Sequence, residues 1–131
     1  MRKRIVIVGG GTGGTILANL LAVKLHRDIV NNKVELLMIS DSPVHYYKPA
    51  FMHVAFGSFF KQGLTHPQQS LIRPEIAFIV NRAEYFDLKQ RHISTRSGKR
   101  YPYDILVFAT YHCSIRFAGR PKASFLAAKQ A

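Results

Sequence analysis

The chain has 131 residues, 47% of them hydrophobic and 11% aromatic, which suits one modest globular domain with a real core and excludes a disordered polymer. Nineteen Lys and Arg against seven Asp and Glu leave a formal charge of +12, but the basic residues are spread along the chain and accompany no helix-turn-helix, zinc-finger or RNA-recognition pattern, so no nucleic-acid partner is expected. No apolar run approaches the ~20 residues of a membrane span, and a single cysteine, Cys113, excludes an internal disulfide or a Cys-rich metal site.

The first element is the most informative. Ile5 to Val8 is a continuous β-branched run, the pattern of a strand buried on both faces. It leads directly into Gly9, Gly11 and Gly14 at G-x-G-x-x-G spacing, and an apolar-periodic helix over Thr15 to His26 follows. Each glycine has a mechanical role in a dinucleotide-binding turn: Gly9 for the tight turn, Gly11 for close backbone approach to a pyrophosphate, Gly14 for close helix–strand packing. The N-terminus of the helix adds unpaired N–H groups and a partial positive charge. Strand before and helix after supply the context the motif requires. On the helix, Ile16, Leu17, Leu20, Leu21 and Leu25 are expected on one broad core face, with Ala18 and Ala22 as small packing positions.

Asp28, Asn31 and Asn32 mark a turn, and Val34 to Ile39 reads as a second interior strand. Strand, helix and strand make a βαβ unit, in which an acidic residue at the end of the second strand typically meets the adenosine ribose. The chain offers Ser40 and Asp41 there, just past the expected strand end, and either can take that role. The aromatic stretch Val44 to Gly57 lacks clean periodicity; Pro49 is placed to start a helical turn carrying Phe51, Met52 and Val54. His45 and His53 are separated by Pro49, so a shared metal is not expected and core or pocket-wall contacts are. A short helix is expected near Gln68 to Ile72, and a third parallel strand over Ile76 to Val80. Ala83–Leu88, His92–Arg96 and Arg100–Tyr103 form a small antiparallel meander, with Ser97-Gly-Lys99 as a turn. Ile105 to Ala109 is one more buried strand, introduced by Asp104. The fold class is therefore α/β: a Rossmann-like parallel sheet with a small antiparallel β-meander.

Three segments in order resemble the flavoproteins that carry two dinucleotide-binding domains, and most of all the sulfide:quinone oxidoreductases, with type-II NADH dehydrogenases close behind. They are Ile5 to Gly14 with its Gly-Thr-Gly-Gly, the strand and aromatic loop from Leu37 to Pro49, and the turn, Tyr-Asp, apolar strand and Ala-Thr from Gly98 to Thr110. The resemblance implies an FAD-binding half and an enzyme passing electrons from sulfide or a nicotinamide through flavin to a quinone. An NAD(P)H-dependent flavoprotein reductase and a non-catalytic nucleotide-binding fragment are the alternatives. It implies that Gly9, Gly11, Thr12, Gly13 and Gly14 hold the pyrophosphate and that Ser40 or Asp41 meets the ribose. Pro49 would lie near the flavin, Ala109 and Thr110 would border the cofactor, and a backbone amide pair from Arg82 and Ala83 would meet the adenine. No catalytic side chain and no metal ligand is assigned.

The resemblance also marks departures. Position 111 is Tyr where the family has Gly, and beyond it nothing matches. Residues 1–110 are expected to be an incomplete FAD/NAD(P)-binding domain and 111–131 an unmatched tail, as in a truncated or frameshifted copy. The family's redox-active cysteines fall in the part not matched, so Cys113 is read as a free structural thiol. The basic start runs into glycines rather than a signal-cleavage region, making the cytoplasm the expected compartment. Attraction to an anionic membrane face stays open, and the resemblance leaves peripheral contact with the inner membrane face to the absent C-terminal part.

Overall fold

The computed structural model describes residues 2–46, 55, 57, 65–110 and 116–117. Strands β1 (Lys3–Val8), β2 (Val34–Ser40), β5 (Ala77–Val80) and β9 (Ile105–Phe108) form a four-stranded sheet in the order β5-β2-β1-β9. All three pairings are parallel, with Lys3 opposite Val34, Ile5 opposite Ile105 and Leu37 opposite Ala77. Position in this order explains composition. β1 and β2 are interior and nearly all apolar, and Val6, Ile7, Leu36 and Met38 have no exposed surface.

Side-chain alternation then divides the core into two. Ile5 and Ile7 of β1, with Leu36 and Met38 of β2, face helix α1 (Thr12–Lys24) and pack on Ala18 and Ala22. Val6 and Val8, with Leu37 and Ile39, face the opposite side and pack on Phe86, Ile93 and Tyr103 of an antiparallel layer. That layer is the expected meander, β6 (Ala83–Asp87), β7 (His92–Thr95) and β8 (Arg100–Pro102). A further short strand, β10 (Arg116–Phe117), pairs in parallel with β6, within the stretch expected to be an unmatched tail. Each buried aliphatic side chain contributes roughly 1.5–3 kcal/mol, so the double-faced burial of β1 and β2 makes them the anchor of the fold.

Two further elements connect the layers. A hairpin pairs β3 (Val44–Tyr46) with β4 (Thr65–Pro67), and helix α3 (Gln68–Leu71) follows directly. Helix α2 (His26–Val30) continues from α1 through Leu25, where the sequence suggested a turn from Asp28. The register of β9 is set by a reciprocal lock: the Arg4 N–H donates to Asp104 Oδ2 and the Asp104 N–H donates to the Arg4 carbonyl, both at 2.8 Å. Glu35 on β2 accepts from Arg4 Nε at 2.8 Å.

Two expectations are corrected. On α1, Ile16 and Leu20 are more than half exposed, and the core side is Thr15, Ala18 and Ala22 with Leu17, Leu21 and Leu25 at its margin. Small residues let the helix lie close on the sheet, which turns the larger aliphatics outward. Among the described strands β9 is the last of its sheet rather than interior, and Ile105 and Phe108 are partly exposed. Among the described residues, no helix is long and apolar enough to cross a membrane.

Candidate functional site

The strand order reverses at β1. The chain leaves β1 towards β2 on one side, and β9 returns on the other. In open α/β sheets the crevice beyond the carboxyl ends of strands at such a switch point is where ligands bind. The glycine loop occupies it. Gly9 follows β1 with φ +118°, and a Cβ there would stand 2.5 Å from the carbonyl oxygen of Ala109, the residue following β9. A Cβ on Gly14 would run into the Gly9 carbonyl oxygen and lie 3.2 Å from the Ala109 Cβ. Gly9, Gly14 and Ala109 are therefore mutually close-packed, and Thr110 follows at the same edge. Hydrogen bonds from Gly9 N–H to Ile39 and from Ala109 N–H to Val8 tie the loop to the strand ends.

Gly11 and Gly13 behave differently. A Cβ on either would meet no described atom within 4 Å. Gly11 has an ordinary extended backbone, φ −72° and ψ −174°, at the N-cap of α1. The fold itself gives no reason for glycine at these positions, whereas close approach of a ligand backbone-first does. Residues 11–13 are exposed. Thr12 and Gly13 open the helix, and Thr15 N–H makes the first bond of the helical ladder, to the Gly11 carbonyl at 3.0 Å. The amides before it are the ones a helix leaves without internal partners. The first turn carries no acidic side chain and Gly11 supplies no side-chain cap, so its partial positive charge is uncompensated from within. The arrangement suits a phosphate group.

The second expected contact resolves into two unlike residues. Ser40 is the last residue of β2 rather than the first beyond it, and it is buried beneath the loop. Its hydroxyl donates to the Ser42 carbonyl at 3.1 Å, and a Cβ on Gly10 would lie 2.8 Å from it. Asp41 is exposed at the sheet edge and makes no hydrogen bond or ion pair among the described residues. Beyond β5, Asn81 N–H donates to the Ser40 carbonyl, which sets Arg82 and Ala83 on the same edge. Arg82 has its backbone N–H bonded to Asn81 Oδ1 at 2.9 Å and its carbonyl to Arg96 N–H at 2.8 Å. Half of the amide pair expected at the adenine is thus engaged within the protein. Ala83 begins β6, opposite Thr95, and packs into the core. Pro49, His53, Tyr111 and Cys113 lie outside the described residues.

Under the loop lies a polar cluster that sequence reading missed. His45 Nδ1 is 2.9 Å from the Gly10 carbonyl and 3.0 Å from Gln68 Oε1. Gln68 Nε2 donates to Thr15 Oγ1 at 2.8 Å, and Thr15 Oγ1 donates to the Gly11 carbonyl at 2.8 Å. All three side chains are buried, Gln68 almost completely at 1% exposure. His45 fits the expected pocket-wall or core role. Nothing in the pattern Pro67-Gln-Gln69 tells which glutamine is inside; only the β3–β4 hairpin decides it, through the 2.8 Å bond from Gln68 N–H to the Pro43 carbonyl.

No family model matches the chain. The sulfide-quinone reductase of Aquifex aeolicus (strain VF5) is 35% identical over 111 residues, which cover 84% of this chain and 24% of that protein. The type II NADH:quinone oxidoreductase of Haemophilus influenzae is 31% identical over 125 residues, covering 82% of this chain and 26% of that protein. The X-ray structure of the sulfide:quinone oxidoreductase from Aquifex aeolicus superposes with a TM-score of 0.68 at 31% identity, covering 81% of this chain and 24% of the other. The chain thus spans about a quarter of the length of the curated relatives it matches.

Proposed function

We propose that this chain, a sulfide:quinone oxidoreductase-like sequence matching about a quarter of its relatives' length, supplies the pyrophosphate-binding edge of a flavin-dependent quinone oxidoreductase, with FAD as the dinucleotide. The observation that carries the reading is the division within the glycine loop. Gly9 and Gly14 satisfy the fold, while Gly11 and Gly13, at an exposed helix N-terminus, have no described atom where a side chain would stand. Residues 1–110 are the proposed, incomplete dinucleotide-binding unit, followed by the tail 111–131. The amides from Gly11 to Gly14 hold the pyrophosphate, and Asp41 takes the ribose in preference to Ser40, whose hydroxyl is already bonded. Ala109 and Thr110 border the cofactor, and Ala83 remains the candidate for the adenine. When bound, FAD supplies the two-electron redox chemistry, and the residues of this chain contribute binding and orientation.

Sulfide is the proposed electron donor and a quinone the acceptor, following the names of the relatives. A nicotinamide donor is the rival reading, favoured by the match to the type II NADH:quinone oxidoreductase. A nucleotide-binding role without catalysis is the third reading.

The test is optical. The purified chain is expected to carry flavin absorbance in stoichiometric amount or to acquire it on titration with FAD. A colourless protein that FAD does not perturb overturns the reading. Anaerobic bleaching by sulfide but not NADH selects the first donor, the reverse selects the second, and bleaching by neither leaves the binding role.

A further inference from the structure

The buried polar cluster beneath the glycine loop is costly to bury unless fully bonded. We infer that His45, Gln68 and Thr15 are positioning residues that hold the two central peptide units of the loop with their N–H groups turned out to the ligand. This rests on the proposed reading of the loop as a dinucleotide site.

Hydrogen-bond direction fixes how the cluster is arranged. The Gly10 carbonyl can only accept, so His45 Nδ1, 2.9 Å away, carries the proton. The same proton faces Gln68 Oε1 at 3.0 Å, which orients the amide so that Nε2 meets Thr15 Oγ1. Thr15 Oγ1 accepts that bond and therefore donates its own proton onward, to the Gly11 carbonyl at 2.8 Å. One directed chain ends on two successive carbonyls.

In a trans peptide the C=O and N–H of one unit point in opposite directions, and the described chain has no cis bond. Turning the Gly10 carbonyl inward to His45 turns the Gly11 N–H outward. Drawing the Gly11 carbonyl to Thr15, by both its hydroxyl and its N–H, turns the Thr12 N–H out of the helix end. Gly11 has no side chain to lock its own conformation, so the lock comes from below. Gln68 and His45 arrive on the β3–β4 hairpin and α3, which couples that hairpin to the shape of the phosphate loop.

The test compares His45→Leu, Gln68→Met and His45→Asn in the full chain, because the Asn amide can donate from near the Nδ1 position. FAD, ADP and adenosine are the probes, the last lacking a pyrophosphate. His45→Leu and Gln68→Met are expected to weaken FAD and ADP about tenfold while leaving adenosine unchanged, and His45→Asn is expected to retain wild-type affinity. A merely structural role would lower thermal stability in both His45 variants alike and would not distinguish ADP from adenosine; equal affinities, or an equal fall for all three probes, overturn the inference. If the wild-type chain binds neither FAD nor ADP, the dinucleotide reading fails separately. The positioning role is then judged by the Gly11 and Thr12 amide resonances, which must move in His45→Leu and Gln68→Met but not in His45→Asn; unchanged resonances overturn it.

Discussion

The inner and outer sides of one short loop obey different rules. On the inner side, Gly9 and Gly14 are pressed against each other and against Ala109, and any side chain there collides with backbone. On the outer side, a Cβ on Gly11 or Gly13 would meet no described atom, and both adopt conformations that other residues tolerate. The distinct roles expected of the three glycines thus fall into two kinds of constraint in one string. One belongs to folding, and the other is imposed by no described atom of this chain.

The largest expected effect attacks the inner side. Gly9→Ala adds a Cβ at φ +118° and 2.5 Å from the Ala109 carbonyl oxygen, and Gly14→Ala drives one into the Gly9 carbonyl. Each is expected to lose about 3 kcal/mol or more of stability, read from denaturant unfolding; a loss below about 1 kcal/mol would dissolve the distinction. On the outer side, Gly11→Val is expected to cost about 1 kcal/mol or less in stability while weakening FAD by about 100-fold or more, since about 2.8 kcal/mol corresponds to two decades. Retained flavin affinity in a folded Gly11→Val chain would remove the loop from the cofactor argument.

The same contrast extends to the neighbouring pair. Asp41→Ala is expected to leave unfolding unchanged and to weaken FAD about tenfold, the value of a charged hydrogen bond. Ser40→Ala is expected to do the opposite, costing about 1 kcal/mol in stability with affinity intact. Reversed results would assign the ribose to the buried hydroxyl.

The smallest effect lies away from the loop. Its own backbone N–H, then the charges of the nearby Arg73 and His26, hold the Glu75 carboxyl below the ordinary 4.5 against the opposing effect of partial burial. A depressed carboxyl pKa stabilises the fold above the unfolded value and loses that contribution as pH falls through the folded one. Glu75→Gln should therefore flatten the acid side of the stability profile below about pH 4.5 without moving FAD affinity at neutral pH. A shift in affinity would mean the two regions are coupled.

Much of this molecule follows from local pattern. The apolar runs Ile5–Val8 and Val34–Ile39 specify interior parallel strands because only such strands are buried on both faces. The alternation of Phe86 and Ile93 with polar neighbours specifies a one-faced meander. The spacing Gly9, Gly11, Gly14 between a strand and a helix locates the candidate site, and Tyr103-Asp104 marks the strand that closes on it. Local pattern fails where two solutions share one periodicity. Aliphatics on α1 repeat on two faces, and the tertiary contact chose the face with Ala18 and Ala22 because their small side chains permit the closest approach. It fails again where residues distant in sequence must meet. His45, Gln68 and Thr15 carry no common pattern, and only the hairpin joining β3 to β4 brings them beneath the loop. The sequence by itself thus determined the strands, the glycine turn and its place after β1. The tertiary structure alone decided how closely Gly9 and Gly14 pack on Ala109 and that His45, Gln68 and Thr15 meet beneath the loop, since both depend on atoms delivered from another part of the chain.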